Sequence, residues 1–535
     1  MSAALRGVWG VVPPQKAGMI PGWGSGLVVD ELSVFLLVTL AVVLVAVLAY
    51  AWADGYGVRF HALMLLFAAA MAVTVTASDL LLLLMGWEVM GAMSYALIGY
   101  VWSDPERVRS ADVAFLTTRA ADMGLYAAAG FAVAGAHSLK LDDLATANAP
   151  WRDLIAAGVV VAALGKSAQL PFSFWLSRAM AGPSPVSALL HSAAMVVAGA
   201  YLLLRLRPLL DATGWAATTV SWAGALTALL LGAVALAQRD LKQLLAASTC
   251  AQIGFMVLAA GAGAVDGGTA HLIAHAAVKS LLFLCAGVWL TRRGTHRVVD
   301  VAFGIGAVAL AGVPPLSLWV TKDEVLAGVG SSALLAVGFA ASVLSAAYAG
   351  KALLRLFQAA ERVPVPLAQR IPLAGLAVAG AGLGVLGLPG ILGEAGPVAW
   401  ESALAGAFAV LTVGVVVAVR RVPEPAWALR WFWLERAALA GVVRPGFAVA
   451  RALARFDDRV VDGAVEGVAR GGRWTAGLAR RRVELRVDGL VGAVGRAARG
   501  LAALARRPQT GQVHLYFAQA AVVLAVLVLV AVLAG

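Results

Sequence analysis

Fourteen stretches of about twenty mostly apolar residues follow one another through this chain, at 33–53, 60–78, 79–102, 112–136, 153–176, 186–207, 216–238, 241–262, 268–291, 300–324, 330–356, 371–391, 398–419 and 514–534. About 20 such residues, wound as a helix, cross the hydrocarbon of a bilayer. In lipid every backbone N–H and C=O must find a partner within the protein, so spanning segments are helices or closed barrels. Runs of this length predict an all-α polytopic membrane protein of about 14 transmembrane helices. The apolar share is 61% and the charged share 13%, far from the half and quarter typical of soluble domains. Mean hydropathy is +0.87. Cys250 and Cys285 both lie in apolar runs, which excludes a disulfide framework and a four-cysteine metal site. One Arg and no long apolar stretch precede Pro13-Pro14, so targeting is expected from the first span rather than from a cleaved signal peptide.

Residues 420–513 break the pattern. Between Arg420 and Arg507 stand 18 Arg, no Lys and 8 acids, a balance of +10 out of the whole chain's +12. The apolar residues recur at helical spacing (Leu434, Ala437, Leu439; Val460, Val461, Val465, Val468) and are interrupted by Pro445 and Gly471-Gly472. This pattern predicts a lateral amphipathic helix on the membrane surface or on neighbouring subunits. Arg107, Arg109, Arg292, Arg293, Arg297 and the Arg-rich segment fall on one side when the spans are threaded, and the positive-inside rule makes that side cytoplasmic. The N-terminus and Gly535 are then outside, in a bacterial inner membrane. Arg205 and Arg207 are the misfits, at the outer end of their span.

Lysine is distributed against this trend. The chain has seven, and five fall within or at the ends of spans: Lys166, Lys242, Lys279, Lys322 and Lys351. Arginine stays charged almost anywhere, whereas a buried lysine can lose its proton when its surroundings change. Glu88, Asp122 and His191 share the apolar runs, and His271, His275 and Lys279 stack along one helix face at i, i+4, i+8. A charge at a helix centre costs about 2.5–3.5 kcal/mol on insertion scales, which packing alone would not retain. Ordinary alternatives exist. Lys351, near its span end, is read as snorkelling to the interface, and Lys242 could do the same. Asp122 could simply pair with Arg119 one turn earlier, and a lone His191 could be a core histidine.

Two spans carry prolines beside a lysine: GKSAQLPFSFWL, with Lys166 five residues before Pro171, and AGVPPLSLWVTKDE, with Pro314-Pro315 before Lys322. Proline removes a backbone donor and opens a helix. Paired interrupted segments point to an inverted-repeat transporter core. The separations agree, 78 residues from Glu88 to Lys166 and 80 from Lys242 to Lys322. The expected organisation is an N-terminal region with the first span (1–59), two inverted five-helix halves (60–210 and 211–356), peripheral spans (357–419), the lateral helix (420–513) and a C-terminal span (514–535).

GWEVMGAMSYALIGY, GKSAQLPFSFWLSRAMAGPSPVSALLHSAAMV, RDLKQLLAASTCAQIGFM, HLIAHAAVKSLLFL and WVTKDEVL resemble the motifs of the antiporter-like membrane subunits of respiratory complex I, the distal, proton-pumping type (subunit L) above all. The likeness runs from about Asp30 to the end of the chain, and RRPQTGQVHLYFAQ resembles the junction of lateral helix and last span. The resemblance implies that Glu88 and Lys166 form the buried pair of one half-channel. Lys242, His271, His275 and Lys279 would form the central relay, with Lys322 at the second break. It also marks Asp122 as a functional carboxylate. Arg119, His191 and Asp323 are further candidates on their positions alone. Two family helices are replaced by about thirty non-spanning residues, and the link from Lys279 to Lys322 is short, so a divergent branch is expected.

The leading expectation is a proton-translocating subunit of an NADH–quinone oxidoreductase that has no redox centre of its own. The sequence offers no CxxC set and no GxGxxG after a strand, so flavin, iron–sulfur clusters and quinone are expected in partner membrane and redox subunits. Two alternatives use the same core: a subunit of a multi-subunit cation/proton antiporter, and a membrane partner in inorganic-carbon uptake. The lateral helix with its terminal span weighs against the latter, and the lack of a further multi-span addition against the former. A passive membrane scaffold would not need lysines in broken helices.

Overall fold

The computed structural model describes residues 15–20, 23–358, 361–384 and 399–534. Pro13-Pro14 and the far end of the span expected over 371–391 lie outside the described residues. The chain divides into two units, Met1–Ala437 and Ala438–Gly535.

Among its described residues the first unit opens with a two-stranded antiparallel ribbon, β1 (Gln15–Ile20) and β2 (Trp23–Leu27), and is otherwise mostly helical. Among the described residues, the helices up to Val419 are α1 Glu31–Ala53, α2 Val58–Thr76, α3 Leu80–Ile98, α4 Pro105–Gly135, α5 Trp151–Lys166, α6 Phe174–Ala179, α7 Ser184–Leu190, α8 Met195–Arg205, α9 Arg207–Thr213, α10 Trp215–Ala237, α11 Leu241–Ala262, α12 Val265–Arg292, α13 Arg297–Ala311, α14 Ser317–Ala327, α15 Ser332–Leu353, α16 Leu367–Gly382 and α17 Ala399–Val419. Aspartates start several of them. Asp30 caps α1 at Ser33 N, Asp79 caps α3 at Leu81 and Leu82 N, Asp104 caps α4 ahead of Pro105, and Asp240 caps α11 at Gln243 N. Each such cap satisfies amides that the helix cannot, worth about 1 kcal/mol.

Eleven helical runs of the described residues are long and apolar enough to cross a membrane. The difference from fourteen has physical causes. Arg119 and Asp122 lower the hydropathy of α4, the breaks leave α5 at 16 residues and α13 at 15, and 16 residues of α16 are described. Trp431–Arg506 enters the eleven by length, at 76 residues. At 1.5 Å per residue it would extend roughly 110 Å, far beyond one bilayer crossing, and it carries arginine throughout.

Both expected breaks are present, and α5/α6 and α13/α14 are the half-helices on either side of them. Side chains satisfy much of the opened backbone. Ser167 Oγ donates to Val196 O, Gln169 Nε2 to Ser167 O, and Leu170 N to Thr227 Oγ1. At the second break Ser317 Oγ donates to Gly380 O and Trp319 Nε1 to Ser402 O. The span read as continuous over 186–207 is also interrupted, between α7 and α8 at His191–Ala194.

Charges at the two ends of the bundle are tied down. Arg205 pairs with Asp30, while Arg207 pairs with Asp211 and donates to Ala260 O and Gly261 O at the end of α11. The two arginines that fit the sidedness rule poorly thus serve as helix ties. At the opposite end, residues 420–437 belong to the first unit, so the boundary expected at 420 moves to 437. Their anchors are Glu424, which takes bonds from Arg239 and Lys351, and Glu435, which takes two from Arg178. The bond from Arg239 and then that from Lys351 hold the Glu424 carboxyl below its ordinary range, so this tie persists at neutral pH and is lost in acid.

The second unit is described by itself. Three π-turns, Leu439–Val443, Asp457–Val461 and Arg480–Glu484, punctuate helices Arg444–Phe456, Asp462–Ala479 and Leu485–Arg506. Each π-turn adds a residue to its turn and so rephases the apolar stripe. The last helix is Val513–Ala534.

Helices α4 and α5 touch backbone to backbone. A Cβ on Gly158 would stand 2.3 Å from Gly124 O, whereas one on Gly130, also in α4, would meet nothing within 4 Å. Gly158→Ala is therefore expected to lower the melting temperature in detergent by the equivalent of roughly 1–3 kcal/mol, while Gly130→Ala is neutral or slightly stabilising. Equal melting temperatures for the two variants would contradict this packing.

Candidate functional site

Lys166 ends α5 and is completely buried, as are its surroundings. The dipole of α5 favours a cation at that end, but a buried ammonium also needs a counter-charge. The structure provides Asp122 of α4, with Lys166 Nζ to Asp122 Oδ2 at 3.0 Å. Trp87 Nε1 donates to the other carboxylate oxygen at 2.6 Å, and the Trp87 ring lies 4.9 Å from Lys166 Nζ. Glu88 does not make the pair expected of it. It points to the outside of the bundle and pairs with Arg119, leaving its side chain 25% and that of Arg119 37% exposed. The pairing of Asp122 with Arg119 is corrected in the same way: positions three apart lie near one face, yet α4 rolls Asp122 inward and Arg119 outward.

From this pair a series of buried groups crosses the unit. Trp175 of α6 donates to Gly165 O at 2.9 Å and packs 6.3 Å from the ring of His191. His191 sits at the break between α7 and α8, and neither of its ring nitrogens has a hydrogen-bond partner among the described residues. Its neighbour Ser192 meets Ser280 Oγ of α12 at 2.6 Å. Next to Ser280, Lys279 donates to Leu245 O at 3.1 Å and to Ser248 Oγ, both on α11. His275 and His271 follow on α12, both fully buried. His271 Nδ1 lies 2.9 Å from Thr321 Oγ1, the residue before Lys322, and its Nε2 is unpartnered.

Lys322, on α14, donates to Leu310 O of α13 at 3.0 Å and to Ser345 Oγ of α15 at 2.7 Å. It thus caps the half-helix across its own break. Gln252 Nε2 extends the network to Ser345 Oγ at 3.0 Å and Tyr348 Oη at 2.5 Å. Lys322 and Asp323 also line a cavity of about 350 Å³ with apolar walls from α15 and α17, including Phe339 and Phe408.

Two lysines stand apart from this row. Lys242, at the start of α11, donates to Met180 O and Gly182 O at 2.8 and 2.7 Å and lines a polar cavity of about 580 Å³ with Arg178 and Glu435. Lys351 bonds Leu236 O and Ala237 O at the end of α10 besides Glu424, so it ties helix ends together at the bundle's edge. Sequence reasoning missed Trp87, Ser192, Ser280, Ser248, Thr321 and Ser345. Small hydroxyls are common in packed membrane helices, and an aromatic in an apolar run carries no signal of its own. The one available sign was adjacency, since Trp87, Ser192, Ser280 and Thr321 each neighbour a singled-out residue.

Fold and site define a polytopic antiporter-like membrane protein with lysines set beside broken helices. The chain belongs to the family described as NADH:quinone oxidoreductase/Mrp antiporter, TM, whose profile matches residues 77–347. It is 34% identical over 463 residues to "NADH-quinone oxidoreductase subunit L" of Escherichia coli, covering 78% of this chain and 72% of that one. It spans about half the length of curated plastid and cyanobacterial relatives named NAD(P)H-quinone oxidoreductase subunit 5 or chain 5, 48% and 53% of two of them. Among solved structures, a chain of the Mrp complex from Dietzia sp. superposes with a TM-score of 0.68 at 29% identity, over 92% of this chain and 57% of that one. A chain of respiratory complex I from Thermus thermophilus superposes with a TM-score of 0.64 at 25% identity, over 75% and 90%.

Removing one member of a buried ion pair costs about 3–5 kcal/mol, because the other is left uncompensated. Asp122→Asn is expected to lower the melting temperature in detergent, and Lys166→Met added to it to restore most of the loss. If the two losses simply add, the pair is not the unit described.

Proposed function

We propose that this chain is a proton-translocating membrane subunit of an NADH–quinone oxidoreductase of the complex I type, and that Lys166, paired with Asp122, is the site where a proton is held and released. The reading rests on one observation above all: a buried lysine–carboxylate pair, beside a helix break, opens onto a series of buried histidines, lysines and hydroxyls that reaches Lys322. The 34% identity to a subunit of that name over most of both chains adds to it.

While Asp122 stays against Lys166, its carboxylate balances the ammonium charge. A change of charge nearby that separates them leaves the ammonium in a low-dielectric interior, where a lysine gives up its proton. Histidine can accept a proton on one ring nitrogen and release one from the other. His191, His275 and His271 would act with Lys166, Lys279 and Lys322 as carriers; the Ser192–Ser280 contact joins the chain beside His191 to that beside Lys279, Thr321 contacts His271, and Asp323 stands at the far end. Glu88 with Arg119 forms an outer pair that senses a neighbouring subunit, and Lys242 at the polar cavity is an entry group. The halves 60–210 and 211–356 would act as two such half-channels. Flavin, iron–sulfur clusters and quinone would be held by partner subunits, whose redox chemistry reaches this chain as an electrostatic or conformational signal. The complex lies in a bacterial inner membrane, with the N-terminus outside and the Arg-rich helix cytoplasmic, clasping neighbouring membrane subunits.

Cation/proton antiport is the second reading, favoured by the overlap of 92% of this chain with the Mrp chain. Inverted vesicles holding the whole complex separate the two. Under the first reading NADH drives proton uptake without sodium, and Lys166→Ala abolishes it at normal assembly. Sodium-for-proton exchange driven by a pH gradient alone would favour the second, and normal pumping by Lys166→Ala would refute the role of the pair.

Cysteines placed at Arg473 and Arg480 are expected to react with an impermeant thiol reagent from the cytoplasmic side, and more slowly in the assembled complex than in the isolated subunit. Labelling from outside would overturn the orientation, and equal rates would overturn the clasp.

A further inference from the structure

Trp87 is buried at the Lys166 site but can carry no proton along the path. Its N–H donates to Asp122 Oδ1 at 2.6 Å while Lys166 takes Oδ2 at 3.0 Å, so the carboxylate is held from two sides. The indole ring also lies 4.9 Å from the ammonium. One turn further along α3, a Cβ on Gly91 would stand 3.6 Å from Lys166 Nζ, so α3 presents the indole and then a bare backbone to the lysine.

The neighbours of these residues form a second contact between the same helices. Glu88 follows Trp87 on α3, and Arg119 precedes Asp122 by less than one turn of α4. Helices α3 and α4 are therefore joined by an outer rung, Glu88–Arg119, and an inner rung, Trp87–Asp122. Only the inner rung touches Lys166. Consecutive residues share one helix backbone, so a shift or roll of α3 at Glu88 carries the indole with it.

We propose that Trp87 is the positioning residue of this site, fixing Asp122 against Lys166 and making that fit depend on the outer Glu88–Arg119 pair. A neighbouring subunit that draws on Glu88 would thereby loosen or tighten the buried pair without reaching it. The inference rests on the proton-translocation reading and adds the part that links the surface to the lysine.

A double-mutant cycle in the whole complex, read as proton translocation per NADH oxidised across a range of pH, tests it. Trp87→Phe keeps an aromatic ring and loses the donor. It is expected to lower translocation about tenfold, the worth of a hydrogen bond to a charged group, and to change the pH profile. In an Asp122→Asn background it is expected to cause no further loss. Glu88→Gln and Trp87→Phe are likewise expected to be non-additive. Trp102→Phe, at a position 71% exposed, serves as the control. A Trp87→Phe loss that adds in full to that of Asp122→Asn, or an unchanged rate and pH profile, overturns the proposal. If Trp87→Phe does not assemble, a benzothienyl analogue at position 87 replaces the N–H by sulfur at nearly constant shape, and wild-type behaviour then overturns it equally. Lys166→Ala distinguishes the two levels. If it translocates normally, the role of the Lys166–Asp122 pair fails, and the role of Trp87 with it. If it is inactive while Trp87→Phe behaves as wild type, only the role of Trp87 fails.

Discussion

A lysine ammonium enclosed by hydrocarbon-solvated helices has to be compensated within the protein, and the interior of this chain is arranged around that requirement at Lys166. Its carboxylate partner comes from α4, its cation–π partner from α3, and the peptide dipoles of α5 favour a charge at that end. Three helices must meet in one register for this to work. The close approach of α4 to α5 at Gly124 and Gly158 helps to set that register, since either Cβ would enter the opposite backbone. Packing and electrostatics are thus one constraint here.

The breaks follow from the same requirement. Opening a helix in lipid exposes amides and carbonyls that only protein or enclosed water can satisfy. Ser167, Gln169 and Thr227 do this at the first break, and Ser317 and Trp319 at the second. Lys322 goes further by bonding Leu310 O, a carbonyl at the end of the half-helix before its break. A lysine so placed answers a backbone acceptor and remains available to hydroxyls.

Much of this was legible in the sequence, because the features involved are chemical or periodic. Lysine beside proline locates both breaks, and i, i+4, i+8 spacing places His271, His275 and Lys279 on one face of α12. The partner of Lys166 was not legible. Glu88 and Asp122 both sit in apolar runs of suitable length, and which faces the lysine depends on how α3 and α4 are rolled against α5, a property of interhelical packing. The interruption at His191 was hidden for a related reason: His191–Ala194 has no proline or glycine to mark it. Composition changes at Arg420, whereas packing continues through Glu424 and Glu435 within the unit that ends at Ala437.

The partners of the buried lysines differ, and the difference gives the row a direction. Lys166 meets a carboxylate. Lys279 meets a carbonyl and the hydroxyl of Ser248, and Lys322 a carbonyl and the hydroxyl of Ser345. Neutral acceptors orient an ammonium but do not balance its charge, so in this conformation a positive charge is matched best at Lys166. On the proposed reading, a proton leaving that site would pass to positions with no counter-charge beside them, and it would return unless the Lys166–Asp122 fit had changed behind it. Directional transport along such a row thus depends on control of the first pair. The contact that holds Asp122 from its other side, through Trp87 to the helix bearing Glu88, lies on the side from which that control can arrive.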